Sequence, residues 1–256
     1  MSDYNTNPAT RLGARARTQV AIDEGLRAYM LRVYNYMALG LAITGAAALA
    51  TFKMATTGDL VARIGGQGIN SFGQLIYQSP LKWLVIFGPL AFVLVLSFGI
   101  QKLSVATAQL LFWIYAATVG LSLSVIFLIY TGQSIVQVFF ITAASFGALS
   151  LYGYTTKRDL SAMGAFLIMG LFGIIIASVV NVFVASSMMQ WIISVVGVFI
   201  FAGLTAYDTQ RIKEMYLEAD DDETAGRKAV MGALSLYLDF INLFMMLLQI
   251  FGGRRD

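Results

Sequence analysis

Apolar positions along this chain come in long unbroken runs rather than in the alternation of a half-buried strand. Lys102 and Lys157 bracket 54 residues without a charged side chain, and Asp159 and Asp208 bracket another 48. A helix rises about 1.5 Å per residue and a bilayer's hydrocarbon core is about 30 Å thick, so each gap holds two spans and a short turn. The turns are legible as TGQS at 131–134 and ASSMMQ at 185–190. Further apolar runs lie at 33–52, 83–101 and 229–251. The pattern predicts seven helices, at 33–52, 83–101, 105–128, 134–154, 161–185, 189–210 and 229–251. The expected fold is an all-α, polytopic membrane bundle. A flexible cytoplasmic arm (1–29) precedes a membrane domain (30–252) and a short tail (253–256).

Composition agrees and removes whole chemistries. Of the 256 residues, 58% are hydrophobic and 12% charged, about half the usual charged share of roughly 25%. With no His and no Cys there is no thiolate nucleophile, disulfide, imidazole base or common zinc or haem site. No cofactor is expected. The net charge of +3 does not point to nucleic acid, because the basic residues are dispersed at the ends of the apolar runs.

That dispersal reads as topology. Arg11, Arg15, Arg17, Arg27 and Arg32 precede the first span and should hold the N-terminus in the cytoplasm. Lys102, Lys157, Arg158, Arg211, Lys213, Arg227 and Lys228 then fall on the same side, which makes 12 of the 17 basic residues cytoplasmic. The first 31 residues are polar and basic and the first apolar run is of span length, unlike a cleaved signal peptide. Arg254 and Arg255 fall outside unless the last segment is re-entrant.

Most other features read as architecture. The glycines of RIGGQG lie in the 53–81 connection between membrane helices and read as a flexible connector, lacking the strand and helix of a phosphate loop. The acidic run Glu218, Asp220, Asp221, Asp222 and Glu223 lacks EF-hand spacing and reads as a solvated loop. Ala38, Ala42, Ala46 and Ala50, flanked by Gly45, and Gly164, Gly170 and Gly173 are small residues of the kind that let helices approach closely in lipid. Trp83, Trp113 and Trp191 read as core or interface anchors.

Two acids fall inside the predicted spans. Asp208 lies near the cytoplasmic end of the sixth, in TAYDTQRIK, and Asp239 about ten residues into the seventh, in LSLYLDFINLF. A carboxylate that deep costs on the order of 2.5–3.5 kcal/mol, so it should face the bundle interior. The plain alternative is two independent acids bonded to groups such as Tyr207, Thr209 or Asn242. The functional one is a pair. Burial penalises charge and a like-charged neighbour penalises it again, so a pair shares a proton and titrates as a unit. Fully ionised it offers hard oxygen ligands to Ca²⁺; sharing a proton, it loses them.

At these residues the chain resembles the Bax inhibitor-1 (transmembrane Bax inhibitor motif) family in its bacterial branch. The similarity is carried by RVYNYMALGLAITG in the first helix, LSLYGYTTKRDLSAMG, the Gly-rich GAFLIMGLFG, FAGLTAYDTQRIK and ALSLYLDFINLFMMLLQIFG. The resemblance implies seven helices with the last one central, and a pH-sensitive Ca²⁺ leak in a bacterial inner membrane. Its sensor pair would be Asp208 and Asp239, which would also be the ion's ligands. The family places a basic latch on the second helix, where this chain has no Arg. Lys82 and Lys102 are the candidates there, Lys102 sharing the cytoplasmic side with Asp208, and Arg211 is the next. The partners so implied are lipid, Ca²⁺ and protons.

Two other functions compete. The resemblance also admits a non-conducting regulator of a membrane-anchored AAA protease, presented with the arm 1–29. An intramembrane aspartyl protease would explain Tyr207–Asp208, but Leu236, Tyr237 and Leu238 stand where its Gly-x-Gly belongs, and its Pro-Ala-Leu element is missing. An enzyme is not expected.

Overall fold

A computed structural model describes residues 8–64 and 66–255. The helices are α1 (Pro8–Thr56), α2 (Ser71–Tyr77), α3 (Leu81–Gly99), α4 (Val105–Leu123), α5 (Ile126–Ile129), α6 (Gly132–Thr155), α7 (Ser161–Val184), α8 (Ser187–Glu214) and α9 (Asp222–Phe251). Six stretches among the described residues are long and apolar enough to cross a membrane, and α2 with α3, meeting at 57°, supplies a seventh. This is the all-α polytopic bundle that the charge-free gaps predict.

Local chemistry sets the helix ends. Ser104, Thr131, Ser186 and Asp221 cap α4, α6, α8 and α9, each side-chain oxygen accepting from the backbone N–H three residues on. The third span, expected unbroken over 105–128, breaks at Ser124 into α4 and α5. Its hydroxyl is 2.6 Å from the Leu121 carbonyl and 2.7 Å from the Tyr77 hydroxyl, competing with the helical ladder. The last helix begins at Asp222 rather than at 229 because the cap and the Lys228–Asp220 ion pair (2.6 Å) hold its polar first turns.

Three expectations change. The 1–29 segment, expected as a flexible arm, is helical from Pro8 and continuous with the first span. Pro suits a first helical position, and the Ala-, Arg- and Leu-rich sequence after it favours helix. Tyr29 is buried, its ring 5.6 Å from that of Tyr216. The 53–81 connection holds an antiparallel hairpin, β1 (Ala62–Ile64) and β2 (Gln67–Ile69), with Gly66 at φ +78° in its turn. It is fastened by Asn70, whose side-chain amide donates to the Met54 and Thr57 carbonyls at 2.7 Å each. The Ala38, Ala42, Ala46 and Ala50 stripe is exposed, and Gly45 and Gly173 meet nothing within 4 Å. The face of α1 that packs inward is Val33, Met37, Gly40, Thr44, Ala48, Thr51 and Ala55. Gly164 and Gly170 do serve packing, against the Tyr207 ring and Ile200.

α9 is the hub. It packs on α1, α4, α6 and α8, and half of its apolar window is buried, against 17% for α7. α3 packs chiefly on α4 and α7 chiefly on α8, so these two lie outside the inner ring. The tail returns to the α5–α6 turn. Thr131 N–H donates to the Gly253 carbonyl at 3.0 Å, Arg255 N–H to that of Ile129 at 2.8 Å, and Arg255 Nε to that of Tyr130 at 3.0 Å. Arg255 also lies over the Phe52 ring. The last helix therefore runs unbroken through the bundle rather than turning back, and its basic tail is held by carbonyls and an aromatic face. Trp83 and Trp191 are exposed near the same end of the bundle, whereas Trp113 is half-buried in α4.

Candidate functional site

The α8–α9 hairpin is the tightest helix pair in the fold, and its register is constant. Ser194 meets Gln249, Gly197 meets Met246, Ile212 meets Gly232 and Met215 meets Lys228. On that ladder Asp208 comes opposite Ser235, so Asp239 lies about one turn away along α9, and the two carboxyl groups are close enough to interact directly. Asp239 is 5% exposed and its buried Oδ2 has no hydrogen-bond partner among the described residues. Two ionised carboxylates repel and cannot hydrogen-bond to each other, so their close approach favours a proton held between them.

The side chains named as support lie elsewhere. Thr209 donates to the Thr205 carbonyl at 2.7 Å and meets Ser150 at 2.9 Å; Asn242 donates to the Leu238 carbonyl at 2.8 Å; the Tyr207 ring lies against Gly164. Residues of a helix are set about 100° apart, so the neighbours of Asp208 in sequence face α6 and α7 while Asp208 faces α9. Lys102 is exposed at the end of a 3₁₀ turn, Ile100–Lys102, after α3. Among the described residues it makes no ion pair, because α3 sits on α4 and not on α8. Arg211 lies about one turn beyond Asp208 on α8, exposed and in no ion pair among the described residues.

Two polar clusters went unnoticed in the sequence. Tyr34, Ser150 and Thr209 form a hydroxyl chain from α1 through α6 to α8, at 2.6 and 2.9 Å. Thr209 spends its hydrogen on the Thr205 carbonyl, so Ser150 donates to Thr209 and Tyr34 to Ser150. At the far end, Gln190 Nε2 donates to Gln249 Oε1 at 2.5 Å, Ser194 donates to the same oxygen at 2.6 Å, and Asn181 donates to Gln190 Oε1 at 3.2 Å. The 14 residues from Ser194 to Asp208 span about 21 Å. Along that length the α8–α9 seam is largely apolar, with Met246 seated on Gly197 and the part-buried Asn242 bonded only within its own helix, to the Leu238 carbonyl. Single hydroxyls and amides scattered in apolar runs gave no periodic signal.

Among the described residues no cluster of three or more His, Cys, Asp or Glu side chains could hold a metal ion. The pair offers at most four oxygens, fewer than the six to eight that Ca²⁺ takes, so by itself it is not a closed Ca²⁺ site.

Fold and site together define a polytopic membrane protein with a carboxyl pair on its central helix seam. The family described as "Inhibitor of apoptosis-promoting Bax1" matches residues 26–256, and the chain belongs to this Bax inhibitor-1 family. Its relatives include RP147 of Rickettsia prowazekii, 47% identical over 91% of this chain and 93% of its own length. A Caulobacter vibrioides protein is 44% identical over the whole of both chains. The inner membrane protein YbhL of Escherichia coli is 46% identical over 90% of this chain and 94% of its own.

Proposed function

We propose that this chain is a pH-sensitive cation leak, chiefly for Ca²⁺, gated by Asp208 and Asp239, in a bacterial inner membrane with its N-terminus in the cytoplasm. The observation that carries the reading is the pair itself: two carboxyl groups close together on facing helices, deep in an apolar bundle. Deprotonation puts two like charges across the seam and creates hard ligands; protonation removes both effects. The inner-membrane assignment follows YbhL, and the orientation follows the 12 basic residues gathered at one end. Arg211 takes the latch role in place of Lys102, since it stands one turn from Asp208 on the same helix. No covalent chemistry is proposed.

The test is Ca²⁺ entry into proteoliposomes from about pH 6 to about pH 8, with the parent, Asp208→Asn and Asp239→Asn. Either substitution should remove most of the pH dependence, because a lone carboxyl has no partner with which to share its proton. An unchanged profile in both variants refutes the sensor. No flux in the parent refutes the leak and favours the non-conducting regulator.

A further inference from the structure

α1 and α6 both lie on α9 but not closely on one another, and they leave a lateral groove of about 600 Å³ between them. It is lined by apolar side chains, with Arg27 at one end, Ala38 at the other, and Tyr34, Gly147, Ser150 and Tyr154 along it. From Arg27 to Ala38 is 11 residues, about 16 Å along α1. That is about half of a 30 Å hydrocarbon core, the depth of one leaflet. The Arg27 end is the basic end of the bundle: Lys213 lies there, its Nζ donating to the Tyr154 carbonyl at 2.8 Å. The groove is thus one leaflet deep, apolar within, open to the side and cationic at its mouth.

We propose that this groove binds one anionic phospholipid of the leaflet at the basic end. Its phosphate would sit at Arg27 and one acyl chain would lie along α1 and α6 over the Tyr34–Ser150 hydroxyl contact. The exposed guanidinium supplies planar donors suited to a phosphate, and each basic residue near a membrane surface favours anionic headgroups. Gly147 explains the room: a Cβ added there meets nothing within 4 Å. This proposal does not rest on the leak reading, since lipid retention is measured without ion flux.

Native mass spectrometry of the full chain released from nanodiscs of mixed phosphatidylglycerol and phosphatidylcholine tests it. The parent should retain one phosphatidylglycerol in preference to phosphatidylcholine. Arg27→Gln should lower that preference about fivefold, the weight of one basic residue, and Arg27→Lys should keep most of it. Gly147→Leu fills the groove and should reduce retained lipid about tenfold while the protein stays monodisperse with parental helicity. Ala38→Leu fills it from the other wall and decides the matter if Gly147→Leu does not fold. Equal retention of both lipids by the parent, or unchanged retention in the filled variants, overturns the proposal. So does a dimer that the filled variants dissociate, which would make a second copy the occupant.

Discussion

The contact that fixes the central helix gives an asymmetric prediction. Tyr237, on α9 two residues before Asp239, is wholly buried, and its hydroxyl is 2.6 Å from Thr44 Oγ1. Thr44 Oγ1 is also 2.9 Å from the carbonyls of Gly40 and Ala116, so it spends its one hydrogen on a carbonyl and Tyr237 must be the donor. Tyr237→Phe removes that donor and leaves Thr44 still bonded, at a cost near the average for hydrogen bonds inside membranes, about 0.6 kcal/mol. Thr44→Val keeps the shape but strands the phenol donor in an apolar core, which costs about 1–3 kcal/mol. The double variant removes the stranded group and should return close to Tyr237→Phe. Reversible unfolding in mixed micelles, followed by far-ultraviolet circular dichroism, measures all four proteins. If Tyr237→Phe costs as much as Thr44→Val, or if the two costs simply add, the assigned donor direction is wrong.

Three further outcomes follow from particular contacts. A Cβ at Gly153 would lie 2.9 Å from the Ala206 carbonyl carbon, so Gly153→Ala should destabilise by about 1–3 kcal/mol, whereas Gly147→Ala should not; equal midpoints would refute the close α6–α8 approach. In this natively Cys-free chain, Arg63→Cys should label with an impermeant thiol reagent from outside and Glu218→Cys should not; the reverse overturns the orientation. The Asp221 carboxyl, exposed and accepting from Thr224 N–H at 3.1 Å, is held below the ordinary Asp range by that bond. Its contribution is therefore complete above the ordinary Asp value and lost as pH falls through its lower folded value. The protection of the Thr224 amide, its exchange rate relative to the unstructured rate at the same pH, should fall at acid pH in the parent but not in Asp221→Asn, and equal acid sensitivity in both would refute the cap.

Lipid made most of the fold legible, because a span must be long, apolar and nearly uncharged, and those are properties of sequence alone. What it hid was rotation. The stripe of Ala38, Ala42, Ala46 and Ala50 carries the right residue type on the wrong face, since a lipid-facing Ala and a packing Ala read alike when both surroundings are apolar. The face that packs carries Gly40 and Thr44, and Thr44 is betrayed only by a partner 193 positions away. Asp208 and Asp239 stood out because charge is scarce inside a membrane. Their neighbours Thr209 and Tyr207 were assigned to them by adjacency, which a helix converts into divergence. Lys102 was placed by depth alone, and depth says nothing about which helix α3 lies against.

The polar ties show how the seam beside the acids is organised. Thr44–Tyr237 binds α9 to α1 and α4, while Ser150–Thr209 and the close approach of Gly153 to Ala206 bind α8 to α6. α7 follows α8. Asp239 thus belongs to one group of helices and Asp208 to the other. The groups are tied by hydrogen bonds near both ends, Tyr34 to Ser150 at the basic end and Gln190 and Ser194 to Gln249 at the far end. Between these ties the α8–α9 contact is largely apolar, and apolar contacts slide at lower cost than buried hydrogen bonds break. In the proposed leak, a second negative charge at the pair would repel across the one boundary that can widen without stranding a polar group.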